Sequence, residues 1–154
     1  MQLDVAITQE GDVAILLSRA SRLLASAGLD DVDACTVLTV CAELAQNIAR
    51  YGKYGELRLR VEAIGGGRRV VVEALDHGPG IADVTAAMRD HFSTGTSLGL
   101  GLPGVRRLMD TLEIQSGVGC GTHVIATRTL TRSRWPSQQT PTTASLGVPA
   151  ERQP

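Results

Sequence analysis

Aromatic residues are scarce in this chain, at 3% of its 154 residues. Proteins that bind single-stranded nucleic acid stack bases on aromatic rings, so the composition gives no support to such a platform. The charge is nearly balanced, because 15 basic side chains face 16 acidic ones. We therefore expect neither nucleic acid nor an anionic membrane among the partners, and any partner must be recognised locally.

Paired cysteines and long apolar runs are missing as well. The three cysteines, Cys35, Cys41 and Cys120, are odd in number and form no C-x-x-C motif, so neither a disulfide framework nor a zinc site is predicted. We expect all three to be small core residues. No apolar run reaches about 18 residues, and the first residues carry acids instead of a basic leader. These features predict a protein of the reducing cytoplasm.

Hydrophobic residues make up 43% of the chain and charged residues 20%, which is typical of one globular domain. From about residue 131 the composition changes to Pro, Ser, Thr and Gln. Such a segment cannot bury enough apolar surface to offset the entropy of ordering. We therefore predict a domain over residues 1–130 and a disordered tail over 131–154.

Apolar periodicity predicts helices and strands in separate groups along the chain. Strand-like alternation or β-branched runs and helix-like spacing give the order βα, α, ββ, loop, α, ββ. Strands are predicted over 3–7, 57–62, 70–75, 112–116 and 122–127, and helices over 13–27, 32–50 and 103–109. This arrangement favours an α+β fold over a doubly wound parallel sheet.

Glu43 and Asn47 are four residues apart, so they share one face of the second predicted helix. The rest of that helix is apolar nearly all round. A carboxylate on such a face is costly unless water, a metal ion or a substrate completes its contacts. The pair indicates either a functional site or a structural pair that is capped or salt-bridged.

Two glycine-rich segments also have two interpretations each. In the segment 76–80, Asp76 follows a β-branched strand and could accept a ligand amine or could form an ordinary Asx turn. The segment 94–104 precedes a predicted helix, where free N–H groups suit a phosphate, although a flexible surface loop is the alternative. The lysine of a P-loop is absent from it.

Four short motifs occur in a fixed order: E-x-x-x-N at 43–47, D-x-G-x-G at 76–80, G-x-G-x-x-G at 99–104 and G-x-G-T at 119–122. Together they resemble the four ATP-site boxes of the GHKL family. Within that family, the segments 41–47 and 98–110 are similar to the RsbT-type switch kinases, which are relatives of the anti-sigma-factor serine kinases. The resemblance extends over roughly residues 3–128.

The resemblance implies a Bergerat fold, with a mixed, mainly antiparallel sheet and helices on one face. It implies that Asn47 binds Mg²⁺ and that Glu43 is the general base. Asp76 would accept a hydrogen bond from the adenine amino group of ATP, with support from Thr122. The other implied positions are glycines, with Gly78 and Gly80 shaping the base pocket and Gly99, Gly101 and Gly104 cradling the phosphates.

The implied function is a Mg-ATP-dependent protein serine/threonine kinase that works by partner exchange. Its substrate would be a STAS-domain antagonist in a stress-signalling complex, a stressosome. The freed kinase would then activate a PP2C-type phosphatase, or act on a sigma factor. An alternative is a nucleotide-binding anti-sigma or phosphatase-activating module with little phosphoryl transfer.

Overall fold

The computed structural model describes residues 1–89 and 101–131 of the chain. The predicted sequence of strands and helices is present. In chain order the elements are β1 (Gln2–Ile7), α1 (Glu10–Ser26), α2 (Asp31–Tyr51), β2 (Gly55–Ile64), β3 (Gly67–Asp76), α3 (Val84–Ala87), α4 (Gly101–Leu108), β4 (Thr111–Ser116) and β5 (Thr122–Thr131). The predicted tail lies outside the described residues from residue 132 onward.

The five strands form one sheet in the order β1-β2-β3-β5-β4. Each of its four strand pairings is antiparallel, so the mainly antiparallel sheet expected from the sequence contains no parallel pair in the described part of the chain. Helices and strands are segregated, which confirms the α+β class. The register of β3 and β5 sets Asp76 opposite Thr122, and so brings two of the sequence motifs together at one end of the sheet.

The helices pack on one face of the sheet, and that face contains the core. Along β2, the side chains of Leu57, Leu59 and Val61 are buried, while Arg58 and Arg60 alternate with them on the other face. α1 and α2 pack on each other and on the sheet, and α4 packs on α2. Because aromatics are few, the buried core is aliphatic and consists largely of Leu, Ile, Val and Ala side chains.

Capping explains where α1 and α2 begin. The carboxylate of Asp12 accepts hydrogen bonds from the backbone N–H groups of Thr8 at 2.8 Å and Gln9 at 3.1 Å, so α1 starts at Glu10, before the first apolar residue of its periodic pattern. These contacts, led by those from Thr8, lower the pKa of Asp12. At α2, Asp30 is the N-cap and accepts from the N–H of Asp33 at 2.7 Å.

Three local predictions need correction. α4 begins at Gly101, two residues before the predicted start at Pro103, and a proline is tolerated there because the first helical N–H groups have no intrahelical acceptor. The short helix α3, capped by Asp83, has too few residues to show a period and was not predicted. Of the cysteines expected in the core, Cys41 is buried, but Cys35 and Cys120 are exposed.

The burial of Cys41 agrees with its prediction as a small core residue. Burial raises the pKa of the Cys41 thiol to about 12, so this group behaves as a small apolar side chain.

Within the described ranges, no helix combines the length and the apolar character that crossing a membrane requires.

Candidate functional site

The middle of α2 carries the candidate acid. Glu43 is 2% exposed and lies among the apolar residues of the helix. The apolar periodicity alone places this residue on a buried face. Its Oε2 accepts a hydrogen bond from the N–H of Gly101 at 3.1 Å, and its Oε1 is buried with no hydrogen-bond partner in the described structure. Asn47, one helical turn later, is half-buried. The structure thus joins the first motif to the glycine motif at the start of α4.

Asp76, the first residue of the D-x-G-x-G motif, ends β3. Its Oδ1 accepts from the N–H of Gly78 at 2.8 Å, which makes an Asx turn. The turn was one of the two sequence interpretations, but it occupies only one carboxylate oxygen. Within the described residues, Oδ2 has no hydrogen bond that the structure shows, so Asp76 can form the turn and still accept a further hydrogen bond.

The glycines after Asp76 are required by the protein's own backbone. A Cβ atom at Gly78 would lie 2.4 Å from the carbonyl oxygen of Tyr51, at the end of α2. A Cβ at Gly80 would lie 1.9 Å from the carbonyl oxygen of Gly117, and φ at Gly80 is +74°. These glycines therefore clamp the loop between α2 and the β4–β5 turn. This close packing fixes the position of the loop, and with it the wall of any pocket that the loop lines.

Thr122 is tied to a residue that the sequence analysis did not single out. Its Oγ1 lies 3.1 Å from the Oγ of Ser116 at the end of β4. The Ser116 hydroxyl also accepts from the N–H of Ile81 at 2.8 Å and donates to the carbonyl of Gly121 at 2.8 Å. One hydroxyl thus joins β4, the loop after β3 and the turn into β5. The alternating pattern of β4 places Ser116 on the inner face of the sheet. A hydroxyl at such a position is the sequence signal that could have identified this residue.

The glycine motif at α4 is only partly described. Gly101 is the first residue of the helix and has φ +52°, and Gly104 is buried within its first turns. Gly99 lies outside the described residues. The N–H of Gly101 donates to Glu43 near the centre of α2, so this carboxylate lies at the positive end of the α4 dipole.

The donor set does not form a complete metal cage by itself. In the part of the chain that the structure describes, no three His, Cys, Asp or Glu side chains cluster as metal ligands. A cation at this site would need oxygen ligands from a bound molecule in addition to those of α2. Mg²⁺ bound through substrate phosphates meets that requirement.

Comparison with known proteins identifies the lineage. The family model of the histidine kinase-like ATPase domain matches residues 6–128, which include all four motifs. The chain belongs to this family. It is 36% identical over 126 residues to the serine/threonine-protein kinase RsbT of Bacillus subtilis (strain 168), covering 82% of this chain and 95% of that protein.

Two further similarities were found. The chain is 29% identical over 96 residues to the anti-sigma F factor of Thermoanaerobacter sp. (strain X514), covering 60% of this chain and 67% of that protein. A solved structure of the mycobacterial sensor histidine kinase MprB is similar with a TM-score of 0.48 and 15% identity, covering 84% of this chain and 96% of that one.

These comparisons confirm three predictions from the sequence. The chain is a GHKL-type ATPase domain related to the RsbT kinases, its fold is the histidine kinase-like ATPase fold, and its enzyme class is that of an ATP-using protein kinase.

Proposed function

We propose that this protein is a Mg-ATP-dependent serine/threonine kinase and partner-switching regulator of the cytoplasm. It transfers a phosphoryl group to a serine or threonine of a STAS-domain antagonist and, when free of it, activates a PP2C-type phosphatase or binds a sigma factor. The observation that carries the proposal is the buried Glu43 carboxylate, one oxygen of which has no partner in the part of the chain that the structure describes. The similarity to RsbT over most of the chain supports the same reaction class.

The base is assigned to Glu43. Phosphoryl transfer to a hydroxyl needs an acceptor that orients the hydroxyl and takes its proton, and catalysis otherwise depends on positioning and charge neutralisation. Glu43 has a carboxylate oxygen available for that hydroxyl, and packing of α2 fixes its backbone. Burial in apolar surroundings strengthens a hydrogen bond made there.

Metal binding is assigned to Asn47. Its side-chain amide oxygen is one helical turn from Glu43, on the same face of α2, and it is a neutral oxygen ligand of the type that Mg²⁺ accepts. The phosphates of ATP would supply the other oxygen ligands. When bound, Mg-ATP supplies the transferable phosphoryl group, and the metal ion neutralises part of its charge.

Adenine recognition is assigned to the end of β3. Asp76 Oδ2 is free to accept the amino proton of adenine, while the Asx turn through Oδ1 fixes the orientation of the carboxylate. Thr122 lies opposite Asp76 in the strand register and supports that side of the pocket. Gly78 and Gly80 hold the pocket wall, and the phosphates are assigned to Gly99, Gly101 and Gly104.

The experiment that tests this function combines capture with a transfer assay. The full chain is used to pull down partners from its host, and the recovered proteins are incubated with the chain, Mg²⁺ and ATP labelled at the γ-phosphate. We expect a STAS-domain protein to be recovered and labelled on serine or threonine. Recovery of this protein without any label, although the chain binds ATP, would contradict the kinase assignment.

The alternative is a nucleotide-binding anti-sigma module. The similarity to the anti-sigma F factor of Thermoanaerobacter favours it to that extent. In the capture experiment it predicts recovery of a sigma factor and no labelled protein. A binder without transfer would not need the acidic group of Glu43, so substituting that residue would leave the function of such a module intact.

A further inference from the structure

The contact between Glu43 and α4 links two groups that the proposed reaction uses separately. Glu43 Oε2 accepts from the N–H of Gly101, the first residue of an eight-residue helix. Glu43 is 2% exposed, and its Oε1 has no partner in the described structure. The acid therefore occupies the helix N-terminus with one oxygen and leaves the other unsatisfied.

A helix N-terminus attracts anions because its first N–H groups have no intrahelical acceptor and the helix dipole is positive there. In this structure the anion at that position is a carboxylate of the chain itself. A nucleotide phosphate that binds the same terminus needs the same N–H donor. Two anions repel each other strongly in surroundings of low polarity, so they cannot share the Gly101 N–H.

We propose that Glu43 holds the place of a nucleotide phosphate at the N-terminus of α4, and that phosphate binding displaces it. The proposal rests on the proposed function, and it adds a step that couples binding to chemistry. Before nucleotide arrives, Oε2 is engaged by Gly101. Displacement frees Oε2 in addition to Oε1, so both carboxylate oxygens can orient the hydroxyl of the protein substrate and accept its proton once the phosphoryl donor is present.

Three variants of the full chain separate the contact from the charge. Glu43→Asp keeps the negative charge but is one methylene shorter, so it loses the contact with Gly101. Glu43→Gln keeps the length and removes the charge. Glu62→Gln removes one charge from an exposed position on β2 and serves as the control.

The affinities of these proteins for ADP and for adenosine, both with Mg²⁺, are measured by titration calorimetry. We expect both Glu43 variants to bind ADP about threefold to tenfold more tightly than the wild type, which is the range of one anion at a helix terminus. Adenosine has no phosphate, and its affinity should stay unchanged. An unchanged or weaker ADP affinity of Glu43→Asp would overturn the proposal, and a gain confined to Glu43→Gln would reduce it to a general effect of charge.

A second measurement uses the wild-type protein and does not depend on the folding of a variant. The Gly101 amide is followed in a ¹⁵N–¹H correlation spectrum while ADP or adenosine is added. The Glu43 side-chain carboxyl carbon is followed in parallel in a ¹³C spectrum of the same sample. We expect ADP to move the Gly101 and Glu43 resonances together, and adenosine to leave both in place. Binding of ADP with an unmoved Glu43 carboxyl would overturn the proposal, whereas failure to bind either ligand would refute the proposed function itself.

Discussion

Helix α2 buries two acidic side chains in very different surroundings. Asp33, near its start, is 3% exposed, and Glu43, near its centre, is 2% exposed. Asp33 Oδ1 accepts from Arg128 Nη2 at 3.0 Å, and Nη1 of the same guanidinium donates to the carbonyl of Leu108 at 2.7 Å. Among the described residues, Glu43 accepts a hydrogen bond from the N–H of Gly101 alone.

The difference separates a structural acid from the acid that we propose to be functional. A buried charge is tolerated when it is paired and hydrogen-bonded, and Asp33 meets that condition while joining α2, β5 and the end of α4. Glu43 has one oxygen that no group in the described ranges satisfies. The cost of an unsatisfied buried oxygen is therefore present at Glu43 and absent at Asp33. An oxygen left open in this way is what a site that must accept a further group requires.

The largest effect should come from removing the unsatisfied acid. Glu43→Ala should lower the rate of phosphoryl transfer by about 10² to 10⁴, the range for a general base, without lowering nucleotide affinity. Initial rates with a saturating protein substrate and a binding titration measure the two quantities. Asp33→Asn is the control and should retain its transfer rate per folded molecule. Equal losses of binding and transfer in Glu43→Ala would make this acid structural as well.

Breaking the paired acid should instead cost stability. Asp33→Asn leaves the Arg128 guanidinium without its buried carboxylate, so we expect the free energy of unfolding to fall by about 3 kcal/mol, measured by urea denaturation. The double change Asp33→Asn with Arg128→Met removes both charges and should recover part of the loss. A loss below about 0.5 kcal/mol, typical of a surface position, would erase the contrast with Glu43.

Asp76 is intermediate between these two acids, because its Oδ1 accepts a hydrogen bond and its Oδ2 accepts none within the described residues. Asp76→Asn replaces a charged acceptor by an amide, which should weaken ATP binding by about 1.5 to 3 kcal/mol, or tenfold and more. The Asx turn survives, since the amide oxygen can still accept from Gly78. The melting temperature without nucleotide should therefore stay close to that of the wild type. Unaltered ATP affinity would place adenine recognition elsewhere.

Ser116 tests the opposite case, a site-adjacent group with all its hydrogen bonds made. Ser116→Ala leaves the Ile81 N–H and the Gly121 carbonyl without their partner, so we expect a loss of stability of about 1 to 2 kcal/mol. Thermal unfolding of the variant measures this loss. Any fall in ATP affinity should follow from movement of the loop after β3 and should remain smaller than that of Asp76→Asn. A loss of affinity with full stability would instead mean direct contact with the nucleotide.

The smallest effect concerns Asp12, an exposed acid whose contacts are satisfied. Hydrogen bonds from Thr8 hold its pKa below the ordinary value of 3.8, so its contribution to stability is present above that pH and is lost as the pH falls through the lower folded value. Melting curves of wild type and Asp12→Asn between acid and neutral pH should differ most above this range and converge below it. A gap that widened on acidification would have the wrong sign.

Local pattern was sufficient to predict much of the fold and to propose a site. Periods of two and of about 3.6 residues depend only on neighbours along the chain, so strands and helices could be placed within a few residues. The four motifs were readable because each is short and contiguous. Element ends were less accurate, since α1 starts at the cap made by Asp12 and α4 starts before its proline.

Only the tertiary structure decided what each polar group contacts. Glu43 meets Gly101, Ser116 meets Ile81, and Asp33 meets Arg128, and each pair is far apart in the sequence, so no local period encodes it. The same holds for Cys35 and Cys120, whose exposure depends on which surfaces the neighbouring elements leave uncovered. The sequence alone determined which residue types are available for chemistry at the proposed site, and packing decided which of them keep an unsatisfied atom within the described structure.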